Sequence, residues 1–272
     1  MNWRAIRAII RKDLKQVMQN KMVWLPMILV PAIILIIVPV AMVAMATFVP
    51  AEELDVEDLG SLTQLMPAFM SDPLNDLSLA QQFVVLASNY MFAPMFLIVP
   101  LMVASILAAD SVAGEKERRT LEALLYTPIT DTELFLSKVL AAFLPALVIG
   151  VASFAISAIA INLAGYQIMG RIFFPVVTWW PLVFWLGPAV SMVGLGATVL
   201  ISSKAKTFMQ AQQFSGVLVL PIVFLMMAQI SGLFFLGVGL ILALGLLMWL
   251  IGLGLVWVGA KTFARGEIIA RI

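Results

Sequence analysis

The chain is predicted to be an all-α integral membrane protein. Six transmembrane helices are expected, with an amphipathic helix ahead of them and a short charged helix between the second and third. Three observations predict this class. Of 272 residues, 63% are hydrophobic and 11% charged, whereas a soluble domain carries about 25% charged residues. The apolar residues fall into six runs near the roughly 20 residues a helix needs to cross a bilayer core. Threading the chain through those runs puts 15 of its 16 basic residues on one side.

Residues 3–18, WRAIRAIIRKDLKQVM, carry Trp3, Ile6, Ile10, Leu14 and Val17 at three- and four-residue spacing, with Arg4, Arg7, Arg11 and Lys15 on the other face. That is the pattern of a helix lying in the membrane interface; a basic flank without lasting structure is the plainer alternative. The six runs are 24–49, 83–109, 139–163, 182–201, 214–230 and 235–259. The fifth is short, and a five-span chain with the last two segments re-entrant is the competing reading. The organisation is thus a cytosolic helix (1–23), a membrane domain (24–259) and a cytosolic tail (260–272).

Orientation follows from Lys and Arg, which concentrate on the cytoplasmic side. Arg4, Arg7, Arg11, Lys12, Lys15 and Lys21 precede the first run. Lys116, Arg118, Arg119 and Lys138 follow the second, within the connection 110–138. Lys204 and Lys206 follow the fourth, Lys261, Arg265 and Arg271 follow the sixth, and only Arg171 falls opposite. The first outer loop, 50–82, has seven acids and no base. Both termini are therefore expected in the cytoplasm. Ala44-Met45-Ala46 has small residues like a signal-cleavage site, but the apolar run before it far exceeds the 7–15 residues of a signal core. The first span is expected to stay.

Several spans carry proline: Pro26, Pro31, Pro39, Pro94, Pro100, Pro145, Pro188 and Pro221. Each removes a helical hydrogen bond and invites a kink. Gly245, Gly252 and Gly259 repeat every seven residues on the last span, and Gly187, Ser191, Gly194 and Thr198 form a similar stripe on the fourth. Small residues let helices approach closely, within one subunit or between two.

Composition excludes several chemistries. The chain has no Cys and no His, so disulfides, thiolate nucleophiles, imidazole acid–base catalysis and the usual zinc sites are absent. It has no G-x-x-x-x-G-K-[ST] phosphate loop, and no nucleic-acid partner is expected. Asp55-Val-Glu57-Asp58-Leu-Gly60 faintly resembles a calcium loop, but Leu59 interrupts the ligands and the twelfth position is Met66. A solvated acidic loop fits better, followed by a short interfacial helix within 61–70. No Asp, Glu, Lys or Arg lies mid-span. Ion-coupled carriers usually hold such residues despite their cost, so energy for transport is expected from elsewhere.

The charged insert, GEKERRTLEALLYTP, reads as a short helix over 115–126. Glu115–Arg119 and Arg118–Glu122 are i,i+4 pairs, each contributing a few tenths of a kcal/mol. Leu121, Leu124 and Leu125 share one face, and Thr127-Pro128 ends the helix. Thr130 to Glu133 forms a capping box for a helix reaching about Leu163. Near 50 Å long at 1.5 Å per residue, that helix must stand clear of the membrane at its start. A helix parallel to the membrane, charges toward the cytosol, could receive a partner; a solvated topogenic loop is the alternative.

GEKERRTLEALLYTPIT resembles the signature segment of the ABC-2 family of ABC transporter permeases, G-E-x-E-x-x-T-L-E-x-L-L-x-T-P. The matching residues are Gly114, Glu115, Glu117, Thr120, Leu121, Glu122, Leu124, Leu125, Thr127 and Pro128. Residues 202–221 resemble the fourth-to-fifth-span region of sodium-efflux-like and drug-efflux-like permeases, less specifically. The resemblance implies half of a dimeric membrane unit, paired with an identical or paralogous permease. A separate cytosolic ATPase would hold ATP and Mg beneath each half. The segment around 115–125, with Arg118, would be the coupling helix seated in that ATPase, and residues 3–18 the elbow helix. An outer loop of about 33 residues departs from members with a large external domain there.

Polar residues within the spans are candidate pathway lining: Ser88, Asn89, Tyr90, Ser153, Ser157, Asn162 and Gln229. The alternative is that they hydrogen-bond neighbouring helices. The scarcity of buried charge favours an amphipathic, lipid-like or drug-like cargo exported through a prokaryotic plasma membrane. Sodium efflux remains open by resemblance, as does a non-transporting scaffold or sensor that recruits an ATPase.

Overall fold

A computed structural model of the chain describes residues 3–48, 66–120 and 129–262, and among them all regular structure is helical. The acidic stretch 51–65 and motif residues Leu121, Glu122, Leu124, Leu125, Thr127 and Pro128 lie outside the described residues, as does the end of the tail. Helix α1 (Trp3–Gln19) is followed by α2 (Lys21–Ala46), which the Asn20 side chain caps by accepting from the Met22 N–H. A single turn, α3 (Ala68–Ser71), is what is described of the expected interfacial helix. Then come α4 (Leu79–Glu117), α5 (Asp131–Met169), α6 (Trp179–Lys204), α7 (Phe208–Ile230) and α8 (Val238–Lys261). Six of these helices are long and apolar enough to cross a membrane.

Four of the spans, α4 to α7, are longer than their apolar runs, because each helix continues through flanking polar residues. Helices α4 and α5 have 39 residues each, about 58 Å, against an apolar bilayer core of about 30 Å. The capping box at the start of α5 is present: the Thr130 hydroxyl accepts from the Glu133 N–H, and the Thr130 N–H donates to the Glu133 carboxylate. Gly170, with φ of 63°, closes α5 in the left-handed conformation that glycine adopts without strain. Helix α7 starts at Phe208, six residues before its apolar run, with Thr207 as its cap.

Helix α4 is the central mast. Of its most apolar stretch 78% is buried, against 17% for α7 and for α8. It packs against α5 and α6, and α6 packs against α8. The two small-residue stripes explain these approaches. A Cβ on Gly194 would stand 3.0 Å from the Leu101 carbonyl of α4, and one on Gly196 would stand 3.1 Å from the Val256 N–H of α8. Gly245 and Gly252 face Trp185 and Met192 of α6, so the glycine repeat of the last span is packed within this chain.

Four turns widen into π-helix: 32–37 in α2, 86–91 and 110–114 in α4, and 182–186 in α6. Two prolines coincide with a specific repair. Pro39 has no N–H for the carbonyl of Leu35, and the Ser157 hydroxyl of α5 donates to it at 2.7 Å. Pro94 likewise leaves the Tyr90 carbonyl, to which the Gln229 amide of α7 donates at 2.5 Å.

Helix α1 lies against α5. Its buried face is Ile6, Ile9, Asp13 and Val17, while Trp3 is exposed and Ile10 and Leu14 are half-buried. The face is rotated from the expected stripe because Asp13 is drawn inward to a charge on α5.

Candidate functional site

The signature segment does not begin a separate helix at Glu115, as its pattern suggests. Residues Glu115–Glu117 are the last turn of α4, reached through the π turn Asp110–Gly114. Arg119 then takes φ of 56°. The Thr120 N–H reaches the Glu115 carbonyl and the Arg119 N–H the Lys116 carbonyl, the paired bonds that close a helix at a left-handed residue. A helix continuing from 115 to 126 would need Arg119 right-handed. The Thr120 hydroxyl adds a bond to the Glu115 carbonyl at 3.3 Å.

The side chains of this turn face inward. Glu115, which the pattern pairs with Arg119, is fully buried and ion-pairs instead with Lys12 of α1 and Lys138 of α5. Lys138, also buried, sits 2.6 Å from Glu115 Oε2 and 3.1 Å from Asp13 Oδ2. Both contacts are close enough for ion pairing, although their directions are poor for hydrogen bonds. Lys12 lies 3.4 Å from Asp13. Arg118 bonds Asp110 Oδ1 at 2.9 Å, two turns back along α4, and Gln16 of α1 reaches Asp110 Oδ2 at 3.3 Å.

Three bases (Lys12, Arg118, Lys138) thus balance three acids (Asp13, Asp110, Glu115). Balance is what permits the burial, since an unpaired charge in so dry a place is far costlier than the pair. For Lys12, burial alone would lower the pKa, but the hydrogen bond and charge of Glu115, then the charge of Asp13, lift it above the ordinary lysine value. Burial pushes the Asp13 carboxyl up, against the charge of Lys138.

Two more motif residues have defined places. A Cβ on Gly114 would stand 2.7 Å from Asp110 Oδ1 and about as close to the Arg118 guanidinium as van der Waals contact forbids, at 3.1 Å. Glycine is what lets the Asp110–Arg118 bridge close over this turn. Glu117 Oε2 accepts from the Phe208 N–H at 2.9 Å, capping the start of α7 where the helix dipole favours a negative charge. One turn of α4 therefore joins α1, α5 and α7. Charge spacing flags Glu115 and Arg118, and the family resemblance adds Glu117. Neither flags Lys12, Asp13, Gln16, Asp110 or Lys138; an acid interrupting the apolar stripe of α1 and another closing the apolar run of α4 are the only local signals.

The candidate pathway residues divide differently. Asn162 Oδ1 accepts from the Phe173 and Phe174 N–H groups, and its amide donates to the Phe174 and Ala158 carbonyls. Asn89 Oδ1 accepts from the Val176 N–H. Together these pin the connection between α5 and α6 to the bundle, where Phe154, Phe174 and Trp179 pack ring against ring. Ser88 donates to the Val84 carbonyl, and Ser157 donates to the Ser153 and Leu35 carbonyls. Ser153 is buried and Tyr90 lines a cavity at the end opposite the charges.

Comparison with curated proteins finds no match. A family model described as ABC-2 family transporter protein matches residues 7–239, which span α1, the charged junction and all but the last helix; the chain belongs to the ABC-2 transporter family.

Proposed function

We propose that this chain is the membrane-spanning permease subunit of an ATP-driven exporter. A separate cytosolic ATPase holds the nucleotide and Mg, and seats on the segment that begins at Glu115. The observation that carries this reading is the junction itself: one turn of α4, inside the family signature, is tied to α1, α5 and α7. A push on the residues just beyond it is delivered to four helices at once. Lys and Arg distribution supports placing this end, and both termini, in the cytoplasm. The cargo class that suits an apolar bundle without mid-span charge is amphipathic, lipid-like or drug-like, moved between this chain and a second permease.

The test is ATP-dependent extrusion of fluorescent amphiphiles from the cytoplasmic face, read as their accumulation inside inverted membrane vesicles that carry the tagged chain and the ATPase that copurifies with it. Leu121→Asp should abolish both copurification and extrusion while the chain still inserts. Extrusion and copurification unchanged in Leu121→Asp would overturn the assignment of the segment, and a tagged chain that brings down no ATPase would overturn the function.

A further inference from the structure

At the end of the bundle opposite the charged junction, a cavity of about 560 Å³ opens between the α3 region, α4 and the α5–α6 connection. Its wall is mostly apolar, with Met70, Leu74, Val176 and Tyr90 among the lining. A second recess of about 550 Å³ shares Pro73, Leu77, Met169 and Arg171 with it, and adds Asp76 and Gln81. Both volumes fall within the ~300–1,000 Å³ of sites that hold small organic ligands. Helix α4 begins at Leu79 and α5 ends at Met169, so the mouth sits where the apolar spans meet water.

Two features of the mouth point to a ligand. Arg171 is exposed, and neither it nor the exposed Asp76 ion-pairs with the other or with any other described residue. One cation and one anion therefore line the same recess, separated, above an oily trough. We propose that this cavity binds a phospholipid whose head carries both phosphate and amine, with the phosphate on Arg171, the ammonium on Asp76 and an acyl chain along the apolar wall. Arginine matches phosphate oxygens with two parallel N–H bonds. A simple anion would leave Asp76 facing like charge, and an uncharged amphiphile would leave both groups to water alone. The site needs neither ATP nor transport, so its failure and the failure of the export reading are separate results.

The experiment is native mass spectrometry of the chain released from maltoside micelles, titrated with three probes of equal chain length. These are lysophosphatidylethanolamine, lysophosphatidic acid and a monoacylglycerol. The wild type should bind the first most tightly. Arg171→Gln should weaken it about tenfold, to the level of the monoacylglycerol, because a charge-assisted hydrogen bond is lost. Asp76→Asn should weaken lysophosphatidylethanolamine and leave lysophosphatidic acid as tight or tighter. Arg4→Gln, at the far end, should change nothing. Both target side chains are exposed and unpaired, so an unchanged melting temperature is expected and confirms the fold. Equal binding of all three probes by the wild type, or undiminished binding in Arg171→Gln, would overturn the site.

Discussion

Lys138 holds two buried carboxylates at once, Asp13 and Glu115, so its removal strands more charge than it deletes. Lys138→Met should destabilise the protein by about 3–5 kcal/mol, the usual cost of breaking a buried pair, read as a lower melting temperature in detergent. The double variant Lys138→Met, Glu115→Gln should cost less than the sum of the singles, because it removes the orphaned acid too. A pH dependence follows from Lys12. Its pKa is raised above 10.5 in the folded chain, so the folded state holds that proton more tightly than the unfolded one. The stabilisation is full below pH 10.5 and is lost as pH rises through the raised value. Asp13 is raised as well, so its contribution is full below its ordinary 3.8 and lost on the way up; acid does not loosen the junction through this group. The melting temperature should therefore fall as pH rises past 10.5 and through the raised lysine value, and Lys12→Met should remove part of that fall.

At the scale of helices, two prolines and two polar side chains that look unrelated in sequence form repaired pairs. Ser157→Ala should cost about 1–2 kcal/mol by stranding the Leu35 carbonyl in an apolar setting. In a Pro39→Ala background the helix recovers its own N–H near that carbonyl, and the same Ser157→Ala change should then cost measurably less. A double-mutant cycle by thermal unfolding checks this; equal costs in both backgrounds would break the pairing of Pro39 with Ser157. The example marks the limit of sequence reading. Span number was legible because a bilayer demands length and apolarity, both local quantities. The prolines and the polar residues were each visible for the same reason. Their partnership was not, because the register of α2 against α5 arises only in the packed bundle. The rotated face of α1 has the same cause: the stripe through Ile10 and Leu14 is the more hydrophobic, but Asp13 is held by a lysine 125 positions away. The motif was recognisable as a string, while the reason for its glycine, a bridge between Asp110 and Arg118, needed three dimensions.

Among the described residues most polar contacts between helices gather at the two ends, with a mostly apolar bundle between that holds the Ser157–Leu35 bond. At one end charges tie α1, α4, α5 and α7. At the other, Asn89 and Asn162 hold the connection that carries Arg171. If these are independent fastenings, each should open alone, since local unfolding proceeds in cooperative units smaller than the chain and distant sites add. Trypsin offers a direct reading, because each end has its own cleavage points: Arg4, Arg7, Arg11 and Lys15 are exposed on α1, and Arg171 is exposed in the connection. Asn162→Ala, which removes four hydrogen bonds, should speed cleavage at Arg171 and leave the α1 sites at their wild-type rate. Lys138→Met should do the reverse, and the two changes together should give the sum of the two fragment patterns. Cleavage at Arg171 hastened by Lys138→Met would instead mean that a disturbance at the charged end crosses the full length of the bundle even at rest, and that the long, centrally buried α4 is what carries it.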